Sequence, residues 1–451
     1  MHDGAFVGIS RVRDEFAFGG GQESQLLTDS KQPGSIGDSR PPPNADEFVS
    51  DPDDPPRDSP MQEAPQPFSF VHSNRRVISA WGCIDKLAGL ATEAGSKRPA
   101  VVMDAFFENG ELAERIAGLL HAACGSQPAF HFVPAHEPDT DTVDACAAAL
   151  AIANPDLIVA VGGGSAMDTA KIARLLLCNP GPAEAIAGLG KRFKPHASLL
   201  IAVPTTAGTG SEVSESAIAG KAGSELKLIF RSPEMTPQIA LLDASLGVSA
   251  PAVVTAASGY DAVTHAVEAY VSKGSSAMSD PFAESAMRLL GKWLPVAYRE
   301  PMHEAARSWC LIASCQAAIA FNSANLGLAH AISAPLGALH HVPHGVGNAL
   351  ALPAVTAYNE ASMGAKSAVV ASAFDSPTAA TGLSKLRLML DLDLSLDGFV
   401  PSDAARERLA QAAMKSGQVR MNPRLATLDE MRAILESMRE PTGGASPKLA
   451  I

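Results

Sequence analysis

Residues 157–173 read LIVAVGGGSAMDTAKIA, and this stretch decides how the first half of the chain folds. It begins with five apolar residues, a pattern typical of a strand that is buried on both faces. Three glycines follow, and the remaining residues contain neither glycine nor proline, which favours a helix. The stretch therefore predicts a strand, a tight turn and a helix, the unit from which parallel sheets are built.

Two further apolar runs extend this pattern on either side. Residues 100–103 read AVVM and precede Asp104, and residues 199–203 read LLIAV and precede Pro204. Strands that are continuously apolar and separated by helices indicate a parallel sheet covered on both faces. We therefore expect an α/β domain with a parallel, Rossmann-like sheet over residues 66–245.

The amino-acid composition changes at both ends of this region. After about Leu246, Ala-rich helical segments such as 281–294 and 304–321 predict an all-helical domain over residues 246–451. Residues 1–65 are polar and rich in Pro, Asp, Ser and Gly, so we expect a disordered leader. An overextended translation start is the open alternative, because Met61 stands near the end of this segment.

The composition argues against several classes of protein. The 451 residues carry a net charge of -13 and no cluster of Lys and Arg, so a nucleic-acid partner is not expected. The six cysteines include no CxxC pair, which argues against a disulfide framework or a zinc ribbon. Because there is no secretory signal and no run of about 18 apolar residues, we expect a cytoplasmic protein without a membrane partner.

Two loops that follow predicted strands have the composition of phosphate-binding turns. The first, Gly162-Gly163-Gly164-Ser165, lets the backbone approach a diphosphate, and the N–H groups at the start of the next helix favour negative charge. The second, residues 204–212, reads PTTAGTGSE and concentrates hydroxyls that suit phosphate and ribose. Each has an ordinary alternative: a tight αβ turn for the first, and a flexible loop capped by Ser211 before a helix for the second.

Asp104, at the end of an earlier predicted strand, is a candidate for binding the adenosine ribose. A carboxylate there would repel a 2′-phosphate and so favours NAD over NADP. In the common dinucleotide fingerprint the acidic residue follows the glycines, whereas here it precedes them. An N-cap or a surface position for Asp104 therefore stays open.

Residues 259–270, GYDAVTHAVEAY, read as a helix that carries an acid and a histidine on one face. Asp261 and His265 are four residues apart, so their side chains lie one above the other. A carboxylate and an imidazole buried in an apolar helix are costly unless they pair or bind an ion. A simple Asp–His hydrogen bond is the open alternative.

The segment 327–345 contains four of the twelve histidines of the chain. We expect His330 to end a helical turn, and His344 to sit in a rigid loop between Pro343 and Gly345 that aims its ring. Together with the Asp–His pair, these two residues make a set of one carboxylate and three imidazoles. Such a set suits Fe(II) or Zn(II) better than Ca(II) or Mg(II).

These motifs resemble those of the iron-containing (group III) alcohol dehydrogenase family, from about Phe68 to Glu440. The similarity rests on GGGSAMDTAK at 162–171, PTTAGTGSEV at 204–213, GYDAVTHAVEAY at 259–270, PHGVGNALALP at 343–353 and Asn422-Pro423-Arg424. The resemblance implies a dehydroquinate synthase-like architecture, in which an α/β nucleotide-binding domain precedes a helical domain and the active site lies in the cleft between them. It also implies reversible hydride transfer between an alcohol and NAD(P), and a homodimer or larger homo-oligomer.

The resemblance also assigns roles to individual residues. The implied metal ligands, which take part in catalysis through the metal, are Asp261, His265, His330 and His344. The implied cofactor-binding residues are Asp104, Gly162, Gly163, Gly164, Ser165, Asp168, Thr205, Thr206, Thr209, Ser211 and Lys227. The expected ion is Fe2+, with Zn2+ as the alternative, and it would hold and polarise the oxygen of a small alcohol or aldehyde.

One position departs from the family pattern. Many members carry a histidine where this chain has Ala334, so a proton relay through that position is not implied. His340 or His341 is a candidate for such a relay, and simple lining of the cleft is the open alternative. Three other functions stay open: a non-catalytic NAD- or metal-binding protein, a reductase of maleylacetate type, and an acidic scaffold that recruits partners through residues 1–65.

Overall fold

The computed structural model describes residues 74, 76–134, 137–189 and 191–439, and a six-stranded sheet lies at the centre of its first half. The strands are, in chain order, β1 (Arg76–Ser79), β2 (Pro99–Asp104), β3 (Ala129–Val133), β4 (Leu157–Gly162), β5 (Leu199–Pro204), β6 (Ser216–Gly220), β7 (Lys227–Arg231) and β8 (Ile239–Leu242). Six of them pair in parallel in the order β1-β8-β5-β4-β2-β3, which confirms the predicted parallel sheet. Strands β6 and β7 form a separate antiparallel hairpin that the sequence patterns did not predict.

Helices cover this sheet and make up most of the second half of the described chain. They are, in chain order, α1 (Lys86–Glu93), α2 (Glu111–Cys124), α3 (Thr140–Ala153), α4 (Gly164–Leu176), α5 (Ala183–Ile186), α6 (Ala252–Val271), α7 (Asp280–Arg299), α8 (Glu304–Ala324), α9 (Leu328–His340), α10 (His344–Asn359), α11 (Lys366–Ala373), α12 (Ala379–Met389), α13 (Asp403–Met414) and α14 (Leu428–Ser437). The predicted segments 281–294 and 304–321 lie within α7 and α8, so the helical character of this half is confirmed.

Both faces of the sheet are buried, as the continuous apolar runs predict. Successive residues of a strand point to opposite faces, so Val159 packs with α1 and α2 while its neighbour Ile158 packs with α3 and α4. All six residues of β4 are buried. A strand in this position has no solvent-facing side, which is why its sequence shows no alternation of polar and apolar residues.

The carboxyl ends of the central strands bring the two predicted cofactor loops to one edge of the sheet. Strand β4 pairs with β5 so that Gly162 lies opposite Pro204, and β2 lies on the other side of β4 and ends at Asp104. In open parallel sheets, ligands bind at this edge. The alternative of a helix after Ser211 is wrong, because the chain continues from a turn at Ser211–Val213 into the β6–β7 hairpin.

The helical half is held together by close packing around α6. Gly259 on α6 lies against Leu294 of α7, and a Cβ atom at Gly259 would approach the Leu294 side chain to 2.2 Å. From Gly259 to Val271 every residue of α6 is buried, so Asp261 and His265 lie deep inside this half. A polar pair at this depth needs partners, and the neighbouring helices supply them.

The described residues of both halves belong to one compact unit, Pro65–Ile451. The predicted domain boundary near residue 245 lies in a short 3-10 helix, Ala244–Gly247, between β8 and α6, and the division into two domains stays a prediction. The predicted leader, residues 1–65, lies outside the described residues. Within the described part of the chain no single helix is long and apolar enough to cross a membrane; α8 and α9 reach that length and composition only as a pair bent by 103°.

Candidate active site

Four side chains predicted to bind a metal converge on one point in the helical half. Asp261 and His265 come from α6, His330 from α9 and His344 from α10. The Oδ1 atom of Asp261 lies 3.7 Å from Nε2 of His265, 3.7 Å from Nε2 of His330 and 3.5 Å from Nε2 of His344. All four potential ligand atoms lie within 4.8 Å of one another. The structure thus brings together residues that the sequence placed on separate segments.

Two details of the predicted local structure are wrong. His330 does not end a helical turn but lies in the first turn of α9, which begins at Leu328 after Gly327. His344 does not lie in a loop but is the first residue of α10. Pro343, with a φ of -54°, immediately precedes α10, and its ring restricts the entry of the chain into that helix. Both imidazoles therefore project from helix starts, where the backbone is more rigid than in a loop.

The Nδ1 atom of each imidazole has its own partner, so the Nε2 atoms are left to face Asp261. His265 Nδ1 lies 3.2 Å from the carbonyl oxygen of Gly208, His330 Nδ1 lies 2.7 Å from Oε2 of Glu268, and His344 Nδ1 lies 3.3 Å from Oγ of Ser333. A carbonyl oxygen can only accept, so His265 must donate from Nδ1 and keep its lone pair on Nε2. Partners of this kind fix the orientation of metal-binding histidines.

The charges of the cluster suit a ligand set at neutral pH. Burial alone would raise the pKa of Asp261, but the imidazoles of His265, His344 and His330 hold it well below its ordinary value. Burial lowers the pKa of His265 to about 4 and that of His344 to about 3, although Asp261 opposes both shifts. These two imidazoles are neutral near pH 7 and present lone pairs. Burial alone would also lower the pKa of His330, but Asp261 and Glu268 raise it to about 9. His330 therefore carries a proton near pH 7, and a bound ion would displace it.

The residues present fit a divalent first-row cation. The carboxylate of Asp261 is buried, and its ion-pair contacts among the described residues are all with imidazoles. Glu268 adds a second buried carboxylate beside His330. Two buried carboxylates outnumber the one imidazole that is charged near pH 7, so a bound cation would compensate the remaining negative charge. The His344 side chain is 35% exposed whereas those of the other three ligands are 6% or less, so the cluster opens on the His344 side.

The predicted phosphate loops contact each other at the edge of the sheet. Gly162 has a φ of 146°, and a Cβ atom there would lie 2.9 Å from Cβ of Ala166 and 3.0 Å from Cβ of Asp104, so only glycine fits. A Cβ atom at Gly164 would lie 2.9 Å from the side chain of Thr209. The two loops and Asp104 thus form one continuous surface at the start of α4, where Gly163 is the N-cap.

Asp168 and Ser211, both predicted to bind the cofactor, lie behind this surface and bond to each other. Asp168 Oδ1 accepts a hydrogen bond from Ser211 Oγ at 2.5 Å, and its Oδ2 accepts one from the backbone of Ile218 at 2.9 Å. The buried Lys171 donates to the backbone oxygen and to Oγ of Ser211, and also to Ser214. This network braces the second loop from inside, and direct contact of Asp168 with a cofactor stays a prediction.

Asp104 and Lys227, both predicted to bind the cofactor, have different neighbours: Asp104 lies beside Gly162 and Lys227 beside Gly337. Asp104 Oδ1 accepts a hydrogen bond from the backbone N–H of Phe106 at 2.9 Å, so the alternative role as an N-cap is confirmed. It lies beside Gly162 of the first phosphate loop, and its role in binding the ribose stays a prediction. Lys227 pairs with Glu137 at 2.7 Å, and its charge helps to lower the pKa of His344.

His340, the candidate relay residue, does not lie beside the four potential metal ligands. It ends α9, ten residues after His330, which corresponds to about 15 Å along the helix axis. Burial lowers the pKa of His340, and its charged neighbours are Arg408 and Glu225, not the metal cluster. Ala334, by contrast, lies one turn after His330 on the same helix face and borders the site. A catalytic role for His340 stays a prediction.

Sequence reasoning missed several residues of the site, among them Glu268 and Asn348. Glu268 follows His265 by three positions on α6, and Asn348 follows His344 by four positions on α10, so each lies on the same helix face as a ligand. Both residues are buried. The sequence could have indicated them, because each is a polar residue in an apolar helix and lies one helical turn from a candidate ligand. Lys171, inside the motif at 162–171, was missed as well.

Comparison with protein families covers nearly all of the described residues. The family described as iron-containing alcohol dehydrogenase matches residues 74–244. The family described as Fe-containing alcohol dehydrogenase family, C-terminal, matches residues 255–439. The two matches together contain every residue of the metal cluster and of the two phosphate loops.

Individual proteins show the same similarity. The chain is 34% identical over 357 residues to the probable alcohol dehydrogenase EutG of Escherichia coli strain K12, a match that covers 78% of this chain and 89% of that protein. It is 31% identical over 369 residues to the NAD-dependent methanol dehydrogenase of Bacillus methanolicus, covering 79% and 96%. The structure of sulfoacetaldehyde reductase from Bifidobacterium kashiwanohense in complex with NAD+ is similar with a TM-score of 0.77 at 26% identity, covering 83% of this chain and 99% of that one.

Proposed function

The chain belongs to the iron-containing alcohol dehydrogenase family, and from this premise we propose that it transfers hydride reversibly between a small alcohol and NAD, with Fe(II) as its metal. The activity of an alcohol dehydrogenase follows from the family and its relatives. The observation that supports the metal-dependent chemistry is the convergence of three Nε2 atoms on Oδ1 of Asp261. The choice of NAD and of Fe(II) is the further step that we propose.

The residues of the cluster would hold the ion, and their partners would keep it in one geometry. A bound divalent cation supplies Lewis-acid chemistry, which stabilises negative charge on a substrate oxygen. Glu268 orients the His330 ring, and Gly208 orients that of His265. The more exposed His344 marks the side from which an alcohol can reach the site. An intact set of four potential ligands disfavours a non-catalytic protein.

The cofactor would lie across the two phosphate loops. The start of α4, with Gly162, Gly163 and Gly164, offers backbone N–H groups to a diphosphate. Asp104 borders this turn, and its carboxylate would accept the ribose hydroxyls of NAD and repel the extra phosphate of NADP. A relative described as NAD-dependent and a similar structure in complex with NAD+ support this choice.

The second phosphate loop contacts the proposed ion site directly. Gly208 belongs to the second phosphate loop, and its carbonyl oxygen holds His265. A cofactor bound to this loop would therefore be held at a set position relative to His265. Hydride transfer needs such a constant geometry, because the reacting atoms must be held close together and aligned. Ala334 on α9 gives the site a smaller side chain than the histidine that many family members carry at this position.

Location and assembly are further proposals. We propose a cytoplasmic enzyme that assembles as a homodimer or larger homo-oligomer and recognises only small-molecule substrates. Size-exclusion chromatography with light scattering tests the assembly, and a monomer would contradict it. Zn2+ remains the alternative metal, because one carboxylate and three imidazoles suit either ion.

The deciding experiment measures NADH formation by anaerobically purified protein reconstituted with Fe(II). The substrates are short primary alcohols, diols and hydroxy acids, and a chelated sample serves as control. We expect turnover of at least one substrate that is lost on chelation and in His265→Ala, while His121→Ala, which changes an exposed histidine on α2, keeps it. Turnover that survives chelation would contradict the metal role. Absence of turnover with NAD and metal both bound would contradict the proposed reaction.

A further inference from the structure

Asn348 places its side-chain amide against three of the four potential metal ligands. Its Nδ2 atom lies 2.6 Å from Oδ1 of Asp261, 3.2 Å from Nε2 of His330 and 3.3 Å from Nε2 of His344. The residue is completely buried on α10, one turn after His344. Within the described residues, every hydrogen bond of this amide is to an atom that would bind the ion.

The amide nitrogen carries two hydrogens, and three acceptors surround it. The contact with Asp261 is the shortest and joins a donor to an ionised carboxylate, which makes it the strongest of the three. The two imidazole nitrogens lie farther from Nδ2, and a bound ion would take the single lone pair of each, whereas Oδ1 of Asp261 has lone pairs for both the amide and the ion. The amide therefore holds Oδ1 of Asp261 at a set position relative to His330 and His344.

The carbonyl oxygen of the same amide makes no comparable contacts. Oδ1 of Asn348 is buried and has no hydrogen-bond partner in the described part of the chain. An unsatisfied buried acceptor is costly, and an apolar side chain of similar size would avoid that cost. The geometry therefore identifies the N–H groups, directed at the ligand atoms, as the useful part of this side chain.

We propose that Asn348 is a positioning residue of the metal site, which fixes the Asp261 carboxylate so that Oδ1 faces the ion with one lone pair engaged by the amide. This inference rests on the metal site of the proposed function. It adds that Asn348 sets both the affinity for the ion and the arrangement of ligands around it. Carboxylates that bind metals are commonly held by hydrogen bonds of this kind.

The test uses Asn348→Leu, which keeps the approximate volume and removes both donors. Co(II) alone is the probe, because its visible absorption reports the arrangement of ligands, and its affinity is measured by competition with a coloured chelator. We expect Asn348→Leu to bind Co(II) about 10 to 100 times more weakly, with a changed absorption spectrum. The matched control is Thr264→Val, which removes a buried hydroxyl bonded only to its own helix, and it should change neither quantity.

The outcomes separate this inference from the proposed function. Wild-type affinity and an unchanged spectrum in Asn348→Leu would overturn the role of Asn348 and leave the dehydrogenase proposal standing. Wild-type protein that binds no Co(II) would overturn the metal site itself. A variant that is only less stable would lose affinity without a changed spectrum, which would also contradict positioning. If Asn348→Leu does not fold, Asn348→Ala is measured in the same way.

Discussion

His265 donates a hydrogen bond from Nδ1 to the carbonyl oxygen of Gly208 over 3.2 Å, and this contact joins the potential metal ligands to the second phosphate loop. The loop can approach His265 only because residue 208 has no side chain: a Cβ atom there would lie 2.8 Å from both Cβ and the backbone oxygen of Ser258. The two sites that hydride transfer needs are therefore one structural unit.

Gly208→Ala should weaken metal binding and NAD binding together. The added methyl group collides with Ser258 on α6 and pushes the loop away from His265. We expect Co(II) affinity to fall about tenfold or more, because the partner of a metal-binding histidine is lost. Chelator competition and titration of NAD by fluorescence measure the two affinities. Gly118→Ala is the control, since a Cβ atom there meets nothing within 4 Å; loss of only one affinity in Gly208→Ala would argue against the link.

Glu268→Gln tests the carboxylate that orients His330. Glu268 accepts from the His330 ring at 2.7 Å through Oε2 and from the backbone of Ala329 at 2.6 Å through Oε1. The amide keeps the shape but loses the charge, so we expect metal affinity to fall about 10 to 100 times. Isothermal titration with Zn(II) measures this. The exposed Glu114→Gln on α2 should bind as wild type does, and equal affinities in both variants would exclude the proposed role.

Asp104→Ser should relax the choice of cofactor. Serine can still accept the hydrogen bond from Phe106 that Asp104 accepts now, so the turn after β2 should keep its form. Removal of the negative charge takes away the repulsion of a 2′-phosphate. We expect kcat/KM with NADP to rise about tenfold, equivalent to about 1.4 kcal/mol, while the value with NAD falls. Steady-state kinetics with both cofactors measure this effect. An unchanged ratio of kcat/KM with NADP to kcat/KM with NAD would contradict a role of Asp104 in binding the cofactor.

Glu212→Gln should make the free energy of unfolding less dependent on pH. Burial raises the pKa of Glu212 from 4.5 to about 7, and Lys171 only partly opposes this. The pKa of Glu212 is higher in the folded state than in the unfolded state. The contribution of Glu212 to the free energy of unfolding is therefore complete below pH 4.5 and is lost as the pH rises through about 7. The difference amounts to about 3 kcal/mol. We expect denaturant unfolding to show that Glu212→Gln raises the free energy of unfolding relative to wild type much more at pH 8 than at pH 5. An equal difference from wild type at the two pH values would contradict the raised pKa.

Local patterns were sufficient for the framework of the molecule. The apolar runs at 100–103, 157–161 and 199–203 became β2, β4 and β5, because a strand buried on both faces can only be apolar. The spacing of Asp261 and His265 likewise placed them on one face of α6, since helical periodicity is a property of neighbouring residues. The residue types at the cluster were also sufficient to predict a transition metal.

The tertiary structure alone decided how these residues are used. That His330 and His344 meet Asp261 depends on the packing of α9 and α10 against α6, and no local pattern records the contacts between distant helices. The same packing aims the amide of Asn348 at the ligand atoms. It turns Asp168 inward toward Ser211 and leaves His340 at the far end of α9. Sequence determines which groups are present and on which face they lie, whereas their partners are determined by distances that exist only after the helices have packed.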